Sequence, residues 1–253
     1  MKLHIVLFCL LALLSLSIGC ATPRGGQTVS ERELKIHIDL AESYIRSGEP
    51  RRAVKELLPL ADQGQKDWRY HYALGHAYLL LDELAASEKE FQACVKIEPG
   101  SGDGWNSLGF VLMSRNKIAQ AQEAFAKALA MIDYLTPELP AYNMARSYLE
   151  QGDETMTIEY ARISIDKNWR YAPAYVLLAR TLVSIDRVDE AQEWLEKGVE
   201  SNLESPALQL ALAENLVRKG NNAEARTWFT RIANDFPETQ EAKMAGDYLD
   251  LLP

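Results

Sequence analysis

Cysteine is scarce in this chain: Cys9, Cys20 and Cys94 are the three it has. Cys9 lies inside an apolar leader, and two more cysteines make no disulfide framework, so the fold must be held by its core. Histidine is sparse too, with His4, His37, His71 and His76. His71 and His76 are five residues apart and would not share a helix face as a zinc pair does, so no metal and no cofactor are expected. Basic charge is in deficit, 27 Lys and Arg against 36 Asp and Glu, a formal net charge of −9. With no Lys/Arg-rich block either, the balance excludes nucleic acid as a partner, because phosphate binding needs a basic face. No apolar run reaches the roughly 20 residues that a membrane-spanning helix requires.

Chemistry is missing as well. Acidic residues are plentiful, but no carboxylate pair stands out as an acid/base site. The alternating glycines of "PGSGDGW" (Pro99–Trp105) follow a predicted helix and lack a Lys-Ser/Thr ending, which makes them a repeat linker and not a phosphate cradle. Cys94 falls at a small core position and reads as a buried, inert thiol. The five tryptophans (Trp68, Trp105, Trp169, Trp194 and Trp228) sit where packing roles are expected. The chain is therefore expected not to be an enzyme.

What is present begins with the leader. Met1-Lys2 is followed by an almost wholly apolar run, Ile5 to Leu16, of signal-peptide length. It ends in "LSIGC", which resembles the lipobox of bacterial lipoproteins, with Ile18, Gly19 and the acceptor Cys20; Ser17 stands where the pattern usually has Leu. The resemblance implies a signal peptide over 1–19 and lipidation at Cys20. Several acyl chains, at about 0.8 kcal/mol per buried methylene, make a stable anchor where one holds only weakly. Residues 20–33 then read as a lipidated tether, polar and carrying Gly25 and Gly26. Ala21 after the cysteine implies, by resemblance to enterobacterial sorting, the inner leaflet of the bacterial outer membrane, with a periplasm-facing mature part.

Beyond the tether the chain repeats itself. Leu40-Ala41, Leu74-Gly75, Leu108-Gly109, Met144-Ala145, Leu178-Ala179 and Leu212-Ala213 recur at steps of 34, 34, 36, 34 and 34 residues. Ala53, Ser87, Ala121, Thr157, Ala191 and Ala225 fall in the same frame, as do Leu57, Phe91, Phe125, Ala161, Leu195 and Phe229. Period and pattern resemble the tetratricopeptide repeat. The resemblance implies an all-α fold, a right-handed superhelical solenoid of six repeats over 34–239 (34–67, 68–101, 102–137, 138–171, 172–205 and 206–239). Small residues let each helix pair approach closely, and the Leu or Phe four residues on fills the space between. Gly48, Gly152 and Gly220 mark inter-helix turns. Residues 240–253, with Ala242, Ala245, Tyr248, Leu249 and Leu252 at helical spacing, form the solvating cap that a solenoid end needs. The fourth repeat is the weakest match, which predicts less regular packing there.

In such an array the first helix of each repeat lines the concave face. Positions two before, two after and five after the signature Leu should then face the groove. The central repeats give Tyr72, His76 and Leu79; Asn106, Phe110 and Met113; Tyr142, Arg146 and Leu149. The outer repeats give Ile38, Glu42 and Ile45; Val176, Arg180 and Val183; Leu210, Glu214 and Val217. The centre is apolar and aromatic, suited to a hydrophobic peptide or helix. Ile38 and Glu42 are not the basic residue and asparagines by which chaperone-type grooves grip a terminal carboxylate.

The third and fourth repeats carry a narrower likeness. Trp105-Asn106-Ser107-Leu108-Gly109, "YLTPE" (Tyr134–Glu138) and Tyr142-Asn143 resemble the outer-membrane lipoproteins that pilot type IV pilus secretins. "YLTPE" coincides with the two-residue lengthening of the repeat. The resemblance implies a protein partner, a secretin subunit, held at the outer membrane through the lipid anchor and promoted to assemble into the pilus pore. The alternative is a lipoprotein adaptor that recruits peptidoglycan and other cell-envelope enzymes.

Overall fold

A computed structural model describes residues 30–252; the expected signal peptide, Cys20 and the tether up to residue 29 lie outside the described residues. Among them every regular element is helical: α1 Glu31–Arg46, α2 Pro50–Leu57, α3 Trp68–Leu80, α4 Leu84–Ile97, α5 Gly102–Ser114, α6 Ile118–Leu129, α7 Glu138–Glu150, α8 Glu154–Lys167, α9 Ala172–Ser184, α10 Val188–Ser201, α11 Pro206–Arg218, α12 Asn222–Asp235 and α13 Gln240–Leu251. A 3-10 turn (Leu58–Leu60) and one helical turn (Ala61–Gly64) extend α2. Odd and even helices pack as antiparallel pairs, and each even helix also packs on the next odd one, so the protein is a tetratricopeptide-type solenoid.

The helix starts are written in the sequence. Ser30 and Glu33 form a reciprocal capping box on α1; Asp67, Ser101, Asp153, Ser205 and Thr239 each accept a backbone N–H in the first turn that follows. The stops are as regular. A residue with positive φ follows every odd helix from α1 to α11: Gly48 (71°), Asp82 (61°), Asn116 (58°), Gly152 (72°), Asp186 (62°) and Gly220 (77°). At each, the next backbone N–H reaches back to a carbonyl five residues earlier, as in Glu49 to Tyr44 (2.8 Å), Glu83 to Tyr78 (2.9 Å) and Asn221 to Leu216 (2.9 Å). These are Schellman stops, which close the orphan carbonyls and reverse the chain. Three glycines announced half of them; Asp82, Asn116 and Asp186 do the same job because Asp and Asn tolerate the left-handed region.

Packing follows the frame of small residues. Ala53, Ser87, Ala121, Thr157, Ala191 and Ala225 are all fully buried, and so are Leu57, Phe91, Phe125, Ala161 and Phe229. The core runs as three clusters strung along the chain: one under α1 to α3, one centred on Phe91 and Phe125, and one from α7 to α13. The cap closes the last. Tyr248 stacks on Phe229 (centroids 4.6 Å apart, planes at 7°), and Arg226 Nη1 donates to the carbonyls of Leu252 (2.8 Å) and Leu249 (3.3 Å).

Three expectations are corrected here. The fourth pair, α7 and α8, is the most extensively packed of all. Its undersized residues Thr157, Ala161 and Ser164 are fully buried, and Ser164 Oγ donates to the carbonyl of Glu138 (2.9 Å), so smallness brings the two helices together instead of loosening them. Leu40, the signature Leu of the first repeat, is 38% exposed, because α1 has no preceding pair among the described residues. Trp169, expected to pack, is 61% exposed, with the Arg170 guanidinium 5.7 Å from its ring centroid.

Candidate protein-binding groove

The groove positions lie on α3, α5 and α7, and the geometry couples them to one another more than their spacing suggested. Tyr72 is half-buried, edge-on to His76 (4.5 Å) and to Phe91 (5.9 Å). Burial pushes its phenol up to about 12. His76 meets Phe91 edge-on as well (5.0 Å), and its Nε2 lies 3.4 Å from Ser107 Oγ on α5. Burial drives its imidazole down to about 4, against the weaker opposing pull of Asp103, so it is neutral at pH 7. Tyr72 and His76, with Glu42, Ile45, Arg46 and Ala73, line a cavity of about 280 Å³ between the first two repeats.

Leu79 and Phe110 are half-buried against the central cluster. Asn106 accepts a hydrogen bond from Asn143 Nδ2 (3.0 Å), which ties α5 to α7. Tyr142 sits edge-on to Tyr171 (5.4 Å), Arg146 is half-buried, and Leu149 is 43% exposed. Met113, expected to face the groove, is 5% exposed and belongs to the central cluster. The five-residue step carries it round α5 into contact with the core, while Leu149 at the same step on α7 stays outside. The stripe that results is aromatic and mostly half-buried, with Leu149 as its exposed end.

Spacing missed several residues. Ser107 and Asn143 hold the groove side chains in place but carry no groove signal of their own. The lengthened segment before α7 exposes Ile132 fully and Leu135 to 93%, while Tyr134 folds back and donates to Asp103 Oδ1 (3.1 Å). Its ring lies where a Cβ on Gly102 would fall, 2.5 Å from that atom. The two-residue insertion was the available signal for this segment.

Elsewhere the titratable groups are structural. Cys94 is fully buried and its thiol is pushed up to about 12 by that burial, far from nucleophilic range. His71 Nδ1 and Glu90 Oε2 are 2.6 Å apart, and His37 Nδ1 and Glu56 Oε1, in the same repeat frame, are 2.5 Å apart. Among the described residues no group of three or more His, Cys, Asp or Glu side chains could hold a metal ion, and no helix is long and apolar enough to cross a membrane.

The signature of the tetratricopeptide repeat matches residues 38–102 and 176–239, just over half the chain. The chain belongs to the tetratricopeptide-repeat family. This tetratricopeptide array is 26% identical over 116 residues to an uncharacterized protein of Haemophilus influenzae, a match covering 46% of this chain and 65% of that one, so the chain spans less than two thirds of this curated relative. Among solved structures it is similar to PilW, described as a widely conserved type IV pilus biogenesis factor, with a TM-score of 0.70 at 22% identity over 85% of this chain and 99% of that one. It is similar also to PilF of Pseudomonas aeruginosa, with a TM-score of 0.68 at 14% identity over 85% and 96% of the two chains. At such identities the likeness establishes the fold: a tetratricopeptide solenoid, the architecture that offers a long concave surface to protein partners.

The groove histidine gives this tetratricopeptide array a measurable pH dependence. His76 is held near 4 in the fold and titrates near 6.5 when unfolded, so between those values the unfolded chain binds the extra proton and acid destabilises. The loss should reach about 2 kcal/mol by pH 5. His71 acts in the opposite sense. Burial lowers it, but the hydrogen bond to Glu90 and its other partners together outweigh that and raise it, so its contribution is full below 6.5 and fades as pH rises through the raised value. Urea midpoints at pH 7 and pH 5 should therefore differ less in His76→Gln than in the parent, and more in His71→Gln.

Proposed function

We propose that this chain is a lipid-anchored, periplasm-facing scaffold that grips secretin subunits at the bacterial outer membrane and promotes their assembly for type IV pili. The supporting observation with most weight is the extent of the likeness to PilW: 85% of this chain superposes on 99% of a type IV pilus biogenesis factor, with a TM-score of 0.70. Two features of the sequence add to it. One is "YLTPE" in the one repeat of 36 residues; the other is the lipobox ending at Cys20. The mechanism needs no catalysis. An acylated Cys20 holds the groove within a tether's length of the membrane, and a bound subunit meets others at a raised effective concentration. The aromatic stripe from Tyr72 to Leu149 supplies apolar area, and the Asn106–Asn143 bridge keeps the lining helices in register.

Deleting the gene should abolish secretin multimers at the outer membrane; unchanged multimers would refute the proposal. A finer test uses Leu149→Glu. At 43% exposure this residue can change with little effect on stability, within about 0.5 kcal/mol. Crosslinking pulldown of secretin should nonetheless fall at least five-fold. A pulldown that returns peptidoglycan hydrolases in place of a secretin would instead favour the envelope-adaptor reading. Palmitate labelling should mark the wild-type protein and leave Cys20→Ser unmarked.

A further inference from the structure

One edge of the solenoid is more apolar than the other. Odd helices begin and even helices end at the edge formed by the inter-repeat turns. Among the described residues six large apolar side chains are exposed there: Leu58, Ile97, Ile132, Leu135, Trp169 and Leu203. Ile132 and Leu135 are the barest. At the opposite edge, built of the six Schellman turns, no large apolar side chain is more than 55% exposed (Leu80). Single exposed apolar residues need no explanation, but a row of them along one edge marks a surface that meets something.

The row is interrupted by charge. Exposed Glu98 follows Ile97, Asp133 follows Ile132, Arg170 follows Trp169 and Glu204 follows Leu203. A protein partner would need a separate socket for each apolar side chain between those charges. A fluid lipid interface takes each one singly, and Trp169 has the amphipathic ring that settles at headgroup depth. The charges also select the lipid. Three acids against one arginine, in a chain of net charge −9, are repelled by an anionic surface and suit headgroups that carry an ammonium.

The chain enters the fold from this same side. Ser30 caps the start of α1, an odd helix, so the tether joins the solenoid at the apolar edge. Cys20 lies ten residues earlier in the sequence, about 35 Å at full stretch and about 16–19 Å as a flexible coil. With Cys20 acylated, the edge is kept beside the membrane at high effective concentration. Side-chain contacts too weak to hold a protein on a vesicle by themselves are then enough to seat it.

We propose that the inter-repeat edge lies on the membrane, with Ile132, Leu135, Trp169 and Leu203 in the headgroup layer of a zwitterionic, ammonium-headed leaflet. The contact sets the orientation in which the concave groove is presented to the periplasm. It rests on the acylated Cys20 of the proposed function and is independent of what the groove binds.

The test places the full-length acylated protein on vesicles of phosphatidylethanolamine and phosphatidylcholine, with no secretin present. Leu135→Cys or Leu203→Cys carries an NBD label, and Glu83→Cys at the opposite edge is the control; Cys94 is buried and Cys20 acylated, so neither takes the label. A lipid nitroxide just below the headgroups should quench the labels at 135 and 203 at least two-fold more than the label at 83. Ile132→Asp combined with Leu135→Asp, both at bare positions, should cut the quenching at 203 at least two-fold. Equal quenching at the three positions, quenching that strengthens when phosphatidylglycerol is added, or a label at 135 or 203 already shielded in vesicle-free protein, the mark of a second copy on the edge, would each overturn the proposal. Protein that fails to float with the vesicles would remove the anchor and this contact together. Protein that floats with the labels at 135 and 203 unquenched would remove the contact alone.

Discussion

Gly109→Ala should destabilise the protein by about 2 kcal/mol, although alanine is the better helix former by about 1 kcal/mol. A Cβ at Gly109 would lie 2.5 Å from Cδ1 and Cε1 of Phe125, and Phe125 is fully buried with no room to retreat. Phe125→Ala should itself cost about 3–5 kcal/mol, the loss of a buried ring plus the cavity it leaves. The decisive measurement is the pair together. The cavity left by Phe125→Ala can take the new methyl, so the double variant should lose at least about 1 kcal/mol less than the sum of the singles. Urea midpoints of the four proteins read the cycle, and additive losses would show that the two residues do not share one space. The sixth repeat marks the limit of this pairing. Ala213 and Phe229 coexist there, both fully buried, with Phe229 stacked on Tyr248 of the cap.

Replacing Arg115 and Lys117 together with methionine should cost about 3 kcal/mol at pH 7, well over either change alone. Both cations hold Glu88, which is 6% exposed: Lys117 Nζ lies 2.8 Å from each carboxylate oxygen, and Arg115 Nη1 bonds Oε2. One cation can still neutralise the carboxylate; with neither, a buried charge faces only the amide of Gln92 (3.0 Å). The pH profile identifies the cause. Burial pushes Glu88 up, but Lys117 and Arg115 outweigh it and hold the carboxyl below its usual range. The stability it contributes is therefore present above about 4.5 and lost as pH falls through the lowered value. Without the cations burial alone acts, the group takes up a proton more readily folded than unfolded, and acid favours the fold. The gap between parent and double variant should narrow from pH 7 to pH 4. A constant gap would mean that the two long side chains act through packing alone.

Much of this architecture was legible because a repeat states each packing rule several times. Six copies of a small residue, such as Ala53 and Ala225, and of the filler that follows, such as Leu57 and Phe229, leave one way to bury both. The fourth repeat was misjudged because resemblance to a consensus measures typical volumes. Thr157, Ala161 and Ser164 are small together, and helices close onto small residues. The groove was legible as a helix face but not as a surface. A period of 3.6 places Met113 and Leu149 alike, and only the neighbouring helices decide that one is buried and the other exposed.

By itself the sequence determined the period, the helix starts at Ser30, Asp67 and Ser101, the stops after α1, α7 and α11, and the identity of the core layer, because capping, turning and close approach depend on residues near in the chain. Tertiary structure alone decided which residues of each candidate face stay exposed, that Leu40 and Trp169 stay in solvent, that His76 is neutral, and that Glu88 is held between two cations. Those outcomes depend on exposure and on the direction of hydrogen bonds between helices 20 or more residues apart, which local patterns do not encode.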